Sequence, residues 1–373
     1  MTSDGAARGS LIGERRSLRV LEGWKRTSSV TAHFANSRPD QVAGDAEAAR
    51  RWRDVTAPTP EGFVLESGER LSRSALNVRL YGDPAKPLVI AMGGISSGRF
   101  VAAAVSEESS GPGWWGEIVK AGGAVDLEVY SVLGVDFLPN TEETARTIST
   151  HDQARAIAGA LDCLGVRDVH ALVGASYGGM VALAFAALFP ARTGKLCIIS
   201  AAERAHPAAT ALRGIQRRIV EFAERHGDGQ EGVSLARQIA MTTYRTAEEF
   251  GARFDGDVAA AAGEPYAVCD YLVSRGNSFA MGPSRYLTLS DSIDRHRVDP
   301  ALVETPSLLI AASSDRLVEP AEMRRLADAI NANDQDAAAT LHEFHSDYGH
   351  DAFLKDIGVI GPLIKAFIEE KTP

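Results

Sequence analysis

Ser176, Asp315 and His350 are residue types that together can activate a hydroxyl, and they follow one another in an order that suits it. A serine hydroxyl is a weak nucleophile until a base takes its proton, and the base needs a third group to orient it. Ser176 stands in Gly174-Ala175-Ser176-Tyr177-Gly178-Gly179-Met180, a G-x-S-x-G pattern. An apolar run at 169–173 precedes it and an Ala-rich apolar run at 181–189 follows. That context predicts a strand, a sharp turn that lifts the hydroxyl above the sheet edge, and a helix. Glycines flank the serine because a Cβ there would collide with neighbouring elements in so tight a turn. The Tyr177 N–H then lies at a helix N-terminus, suited to a developing oxyanion. Alone, the pattern equally describes an ordinary Gly-rich turn, so the partners decide.

Asp315 follows an apolar run at 306–312, just past the end of a predicted strand, where a buried acid could accept a hydrogen bond from an imidazole. His350 follows a further predicted strand at 340–344. The order Ser, acid, His in these contexts is that of the α/β-hydrolase fold. The Gly93-Gly94 loop after the predicted strand at 87–92 stands where such folds put a second oxyanion donor, although a plain turn reads the same way. No metal site is expected. His342 and His345 are three apart on a strand and would face opposite ways. His151 and Asp152 suit a helix cap.

The elements that must position these groups alternate. Strands are expected at 87–92, 127–133, 169–173, 195–200, 306–312 and 340–344, with an antiparallel edge from 63–66 and 75–81. A helix should open at Thr150 and end at Leu164, with Gly165 after it. Such alternation predicts an α/β fold with a mainly parallel sheet and helices on both faces. From 204 to 298 helical patterns follow one another without a strand, which reads as an inserted helical lid. The expected division is a polar, flexible extension at 1–60, an α/β core at 61–203 and 299–373, and a lid at 204–298. The net charge of −10 disfavours nucleic acid as a partner. Three scattered cysteines give no disulfide framework and suit a reducing cytoplasm. No membrane span and no signal peptide are evident, so a cytoplasmic location is expected.

With these residues in view, the chain resembles the homoserine O-acyltransferase family, α/β-hydrolase-fold enzymes that use acyl-CoA in methionine biosynthesis. The matching pieces are the Ser176 elbow, Leu235-Ala236-Arg237-Gln238-Ile239 with Thr243-Tyr244-Arg245, Arg253-Phe254, Tyr286-Leu287, Ser292-Ile293-Asp294, and Tyr348-Gly349-His350-Asp351-Ala352-Phe353-Leu354. They run from about residue 89 to 354, across core and lid. The resemblance implies homoserine and acyl-CoA as small-molecule substrates, no bound cofactor and a homodimer formed through the lid helices. It also implies that Arg237 and Tyr244 hold the amino acid, with Asp351 meeting its ammonium. Seven residues are close to two helical turns, so the Arg and Tyr share a face, and an Arg fork suits a carboxylate.

The chain departs from the acetyl-transferring pattern at 134–140 and at 93–99. It looks closer to a branch associated with succinyl transfer, and Arg99 is the candidate for the succinyl carboxylate. Succinyl-CoA is therefore favoured over acetyl-CoA. Serine is a competing acceptor, because one methylene discriminates by only ~1–3 kcal/mol. An esterase, with water as acceptor, is a further alternative, but has no use for an Arg237–Tyr244 pair. A non-catalytic binding protein has no use for the serine, acid and histidine together.

Overall fold

Short apolar runs bounded by turn residues become the strands of one eight-stranded sheet. The structure, a computed structural model, describes residues 52–71, 74–105, 110–111, 113–140, 146–255, 266–332 and 338–370, all within one compact unit. The strands are β1 (Trp52–Pro58), β2 (Ala75–Tyr81), β3 (Leu88–Met92), β4 (Ser131–Val135), β5 (Ala171–Ala175), β6 (Leu196–Ile199), β7 (Ser307–Ala312) and β8 (Ala339–Phe344). Their spatial order is β1-β2-β4-β3-β5-β6-β7-β8. β1–β2 and β2–β4 pair antiparallel, and every later pair is parallel.

Alternation along the central strands splits the core in two, because successive side chains leave opposite faces. Ile90, Leu172, Ile198 and Leu309 pack with Ile157 and Leu161 of α1 (Thr150–Leu164) and with α2 (Tyr177–Leu188). Val89, Val173, Cys197 and Ile310 face the other way, towards Ile360, Ile364 and Ile368. Both faces are covered, so β3, β5 and β6 are buried along their whole length. α1 begins and ends where its caps predict. Ser149 and Asp152 form a capping box, and Gly165 closes the helix at φ 71°.

The edge of the sheet differs from expectation. The partner of β2 is Trp52–Pro58, inside the stretch read as a flexible extension, and not 63–66. Residues 63–66 contribute one isolated bridge, Val64 to Arg70. The cause is pairing across the strands: Asp54 of β1 accepts from Arg79 of β2 at 2.7 and 2.6 Å, which compensates charges that look unsuited to a strand. Residues 1–51 of that extension lie outside the described residues. The strand read at 127–133 begins at Ser131.

Between β6 and β7 the chain forms α3 (Pro207–Arg225), α4 (Gly229–Tyr244), α5 (Ala247–Phe254), α6 (Ala267–Asn277) and α7 (Pro283–Arg295). The ends of this helical run are tied to the core. His296, wholly buried, bonds Thr150 Oγ1 through Nδ1 at 2.8 Å and the Ala202 carbonyl through Nε2 at 3.1 Å. The Tyr177 hydroxyl meets Ser292 Oγ at 2.7 Å. Beyond β7 come α8 (Pro320–Asn331), α9 (Ala352–Lys355) and α10 (Ile357–Glu369), the last covering the second face of the sheet.

Candidate active site

β5 ends at Ala175 and α2 begins at Tyr177, leaving Ser176 alone to make the turn. It does so at φ 53°, ψ −123°, a conformation that costs a non-glycine residue of order 1–3 kcal/mol. The strain is held by its surroundings. Ser176 N–H donates to the Ile199 carbonyl at 2.9 Å, and Gly178 N–H donates to the Gly93 carbonyl at 2.8 Å. A Cβ on Gly178 would stand 2.4 Å from the Met92 carbonyl oxygen, so only glycine lets α2 sit this close to the end of β3.

The three residues singled out from the sequence converge here. His350 Nε2 lies 2.8 Å from Ser176 Oγ, and His350 Nδ1 lies 2.8 Å from Asp315 Oδ2. A carboxylate only accepts, so Nδ1 carries the proton, and in the neutral imidazole Nε2 is left to accept from the serine hydroxyl. Asp315 is itself fixed: its Oδ1 accepts from Leu317 N–H at 2.9 Å and Val318 N–H at 3.0 Å. Burial pulls the His350 imidazole towards its neutral form. The charge and hydrogen bond of Asp315, helped by Asp351, outweigh this and hold its pKa above the ordinary histidine value. Such a site can take a proton from Ser176 and return it to a leaving group.

Gly349 carries the turn that delivers His350. It adopts φ 58°, and a Cβ on it would lie 2.7 Å from the Tyr244 carbonyl oxygen. The histidine turn therefore rests against the end of α4. Tyr244 lines the cavity beside Ser176, with its ring centroid 5.8 Å from that of His350. Arg237 projects from the same helix with its guanidinium 5.2 Å from the Tyr244 ring and 4.9 Å from the Phe279 ring. It makes no ion pair with a described residue. Asp351 Oδ2 accepts from Arg245 Nε at 2.8 Å, while its Oδ1 has no partner among the described residues.

Gly93 presents its carbonyl to the elbow, and Ile95, just beyond Gly94, reaches the cavity. Tyr177 N–H opens α2 with no described acceptor. The assignment of Arg99 to an acyl carboxylate is corrected. Like Arg237 and Asp351 it is not among the residues that line the cavity, but unlike Arg237 its guanidinium is already held by two carboxylates, Asp136 and, at 3.3 Å, Asp54. The sheet-edge carboxylates capture it before any substrate could.

An α/beta hydrolase fold family model matches residues 106–356. A homoserine O-succinyltransferase of Xanthomonas campestris pv. campestris is 41% identical over 305 residues, covering 81% of this chain and 80% of that protein. The chain belongs to the homoserine O-acyltransferase family. A serine O-succinyltransferase of Litchfieldella anticariensis is 30% identical, over 74% of this chain and 86% of that protein. Among solved structures, a homoserine O-acetyltransferase from Bacillus anthracis superposes with a TM-score of 0.76 at 15% identity, over 87% of this chain and 98% of that one. At that identity it supports the fold alone.

Several cavity residues of this family member escaped the sequence reading. Ser200 follows β6 at φ 50°, buried, and its hydroxyl has no partner among the described residues. Arg213 on α3 also lines the cavity, as does Ser290 on α7. Positive φ at a serine has no sequence signal. An arginine on an amphipathic helix reads as a solvated charge until the fold turns that face inward.

Proposed function

We propose that the protein transfers an acyl group from an acyl-CoA to the side-chain hydroxyl of homoserine, with succinyl-CoA favoured over acetyl-CoA as donor. The observation that carries the acceptor half is Arg237. It stands over Tyr244 on α4 without a carboxylate partner among the described residues, about two turns before a ring that lines the cavity. Esterase chemistry makes no use of such a fork.

The reaction runs in two halves. His350 takes the Ser176 proton as Oγ attacks the thioester carbonyl, and Asp315 stabilises the imidazolium. The Tyr177 N–H, with an N–H of the Gly93-Gly94 loop, receives the oxyanion. The C–S bond breaks, the CoA thiolate takes the proton from His350, and an acyl-serine remains. Homoserine then binds with its carboxylate on Arg237 near Tyr244 and its ammonium towards Oδ1 of Asp351. Its hydroxyl gives a proton to His350 and attacks the acyl-serine, and the proton returns to Ser176. A bound, oriented alcohol can reach an effective molarity of about 10⁵ M or more, which is how transfer outruns hydrolysis.

The test is CoA release from succinyl-CoA and acetyl-CoA, each with and without homoserine. Release that depends on homoserine and falls on the order of 10⁴-fold or more in Ser176→Ala supports the reading. Arg237→Met should raise the homoserine KM about tenfold or more, because a charge-assisted hydrogen bond is lost. Fast release indifferent to homoserine would favour a hydrolase, and serine replacing homoserine at equal kcat/KM would change the acceptor.

A further inference from the structure

Among the described residues that line the cavity beside Ser176, none is Asp or Glu, and Arg213 is the one Arg or Lys. Arg213 is not a loose surface charge. Its side chain is 14% exposed, and Nε and Nη2 donate to Asp294 Oδ1 at 2.8 and 2.6 Å. Asp294, on the neighbouring α7, is itself 8% exposed and is shared. Its Oδ2 accepts from Arg217 Nη1 at 2.6 Å, and its Oδ1 also accepts from Thr210 Oγ1 at 2.8 Å. Two guanidiniums, both permanently charged, thus share one carboxylate, and a net positive charge is left against a cavity without acids. The remaining terminal nitrogen, Arg213 Nη1, donates to no described residue. Its charge is felt at His350, where it opposes protonation.

We propose that Arg213, braced by Asp294 and backed by Arg217, receives a carboxylate at the far end of the acyl group that Ser176 accepts. The inference rests on the acyltransferase reading above and deepens it. The site selects a dicarboxylic monothioester, because a neutral acyl chain leaves a partly desolvated cation unanswered. The fork is already oriented by Asp294, so little side-chain freedom is lost when the carboxylate arrives. A carboxylate could also come from the amino acid, but Arg237, which has no carboxylate partner among the described residues, is assigned to that one.

The experiment compares succinyl-CoA with butyryl-CoA, which has the same acyl length with a methyl in place of the carboxylate, in homoserine-dependent CoA release. The wild-type protein should favour succinyl-CoA in kcat/KM, and Arg213→Met should cut that preference about tenfold or more. Arg213→Lys, which keeps a cation against Asp294 but loses the fork, should move it the same way and serves if the Met variant does not fold. A wild-type protein indifferent to the carboxylate overturns the proposal without any variant. So does an unchanged ratio in the variants, or a rise in homoserine KM in place of the ratio change. If neither thioester gives homoserine-dependent release, the acyltransferase reading itself fails, which is a different result.

Discussion

Arg245 Nε donates to Asp351 Oδ2 at 2.8 Å, so the residue after Tyr244 holds the residue after His350. Arg245 also reaches Glu249 at 2.8 Å, and Thr246 Oγ1 donates to the Asp347 carbonyl. The end of α4 and the histidine turn are therefore one assembly. Glu249 and Asp351 are both buried, which makes Arg245 a cation shared by two carboxylates.

Replacing Arg245 by Met should be costly for that reason. Asp351 loses its partner and buried Glu249 is left with Arg253 at 3.0 Å alone, and breaking a buried pair from one side costs about 3–5 kcal/mol. Urea unfolding of Arg245→Met should show a loss of this order. An Arg245→Met/Asp351→Asn double variant should recover part of it, because the two sites are coupled. Equal, additive losses would mean that the contact contributes nothing to the turn.

The pH dependence of the reaction follows from His350. As general base it must be neutral, and its pKa is raised above the ordinary value of about 6.5, with burial opposing and Asp315 prevailing. Activity should therefore rise with pH through an apparent pKa above about 6.5 in kcat/KM. Asp315→Asn removes the dominant raising charge and leaves burial opposed mainly by the weaker effect of Asp351. The acid limb should then move to lower pH while kcat falls by about 10²–10⁴-fold. An unmoved limb would mean that another group sets the profile.

Stability at acid pH should depend on His296. Burial, with the charge of His151 adding to it, holds its pKa down at about 3 in the folded protein, against about 6.5 unfolded. Between those values the unfolded chain binds the extra proton, so this contribution is complete above about pH 6.5 and is lost as pH falls towards 3. Lowering the pH from 7.5 to 4.5 should therefore cost roughly 2–3 kcal/mol from this group. Denaturant melts at the two pH values should show a smaller drop for His296→Gln than for wild type.

Much of the site was legible because its signals are local. Ser176 between a strand run and a helix run, Asp315 just after a strand, and the Ser149–Gly165 caps of α1 each declare themselves within a few residues. What stayed hidden depends on distant pairing. Trp52–Pro58 looks too charged for a strand until Arg79 answers Asp54, and Arg99 looks free until Asp136 takes it. Arg213 acquires its meaning from Asp294, eighty-one residues away in the chain. α8 is another matter. Its Met323, Leu326, Ala327 and Ile330 sit at helical spacing and are buried, so its signal was present and simply lay beyond the loop of Asp315.

Tyr177 belongs to two structures at once. Its backbone opens α2 beside the nucleophile, while its wholly buried hydroxyl is answered by Ser292 on α7 and its ring meets Phe137 edge-on at 4.8 Å. Cutting the five helices out of this chain to recover a minimal hydrolase would take the Ser292 partner from that phenol, directly behind the catalytic turn. The helical segment is thus not a detachable module, and a graft of it onto another elbow would need the tyrosine and the serine to travel together.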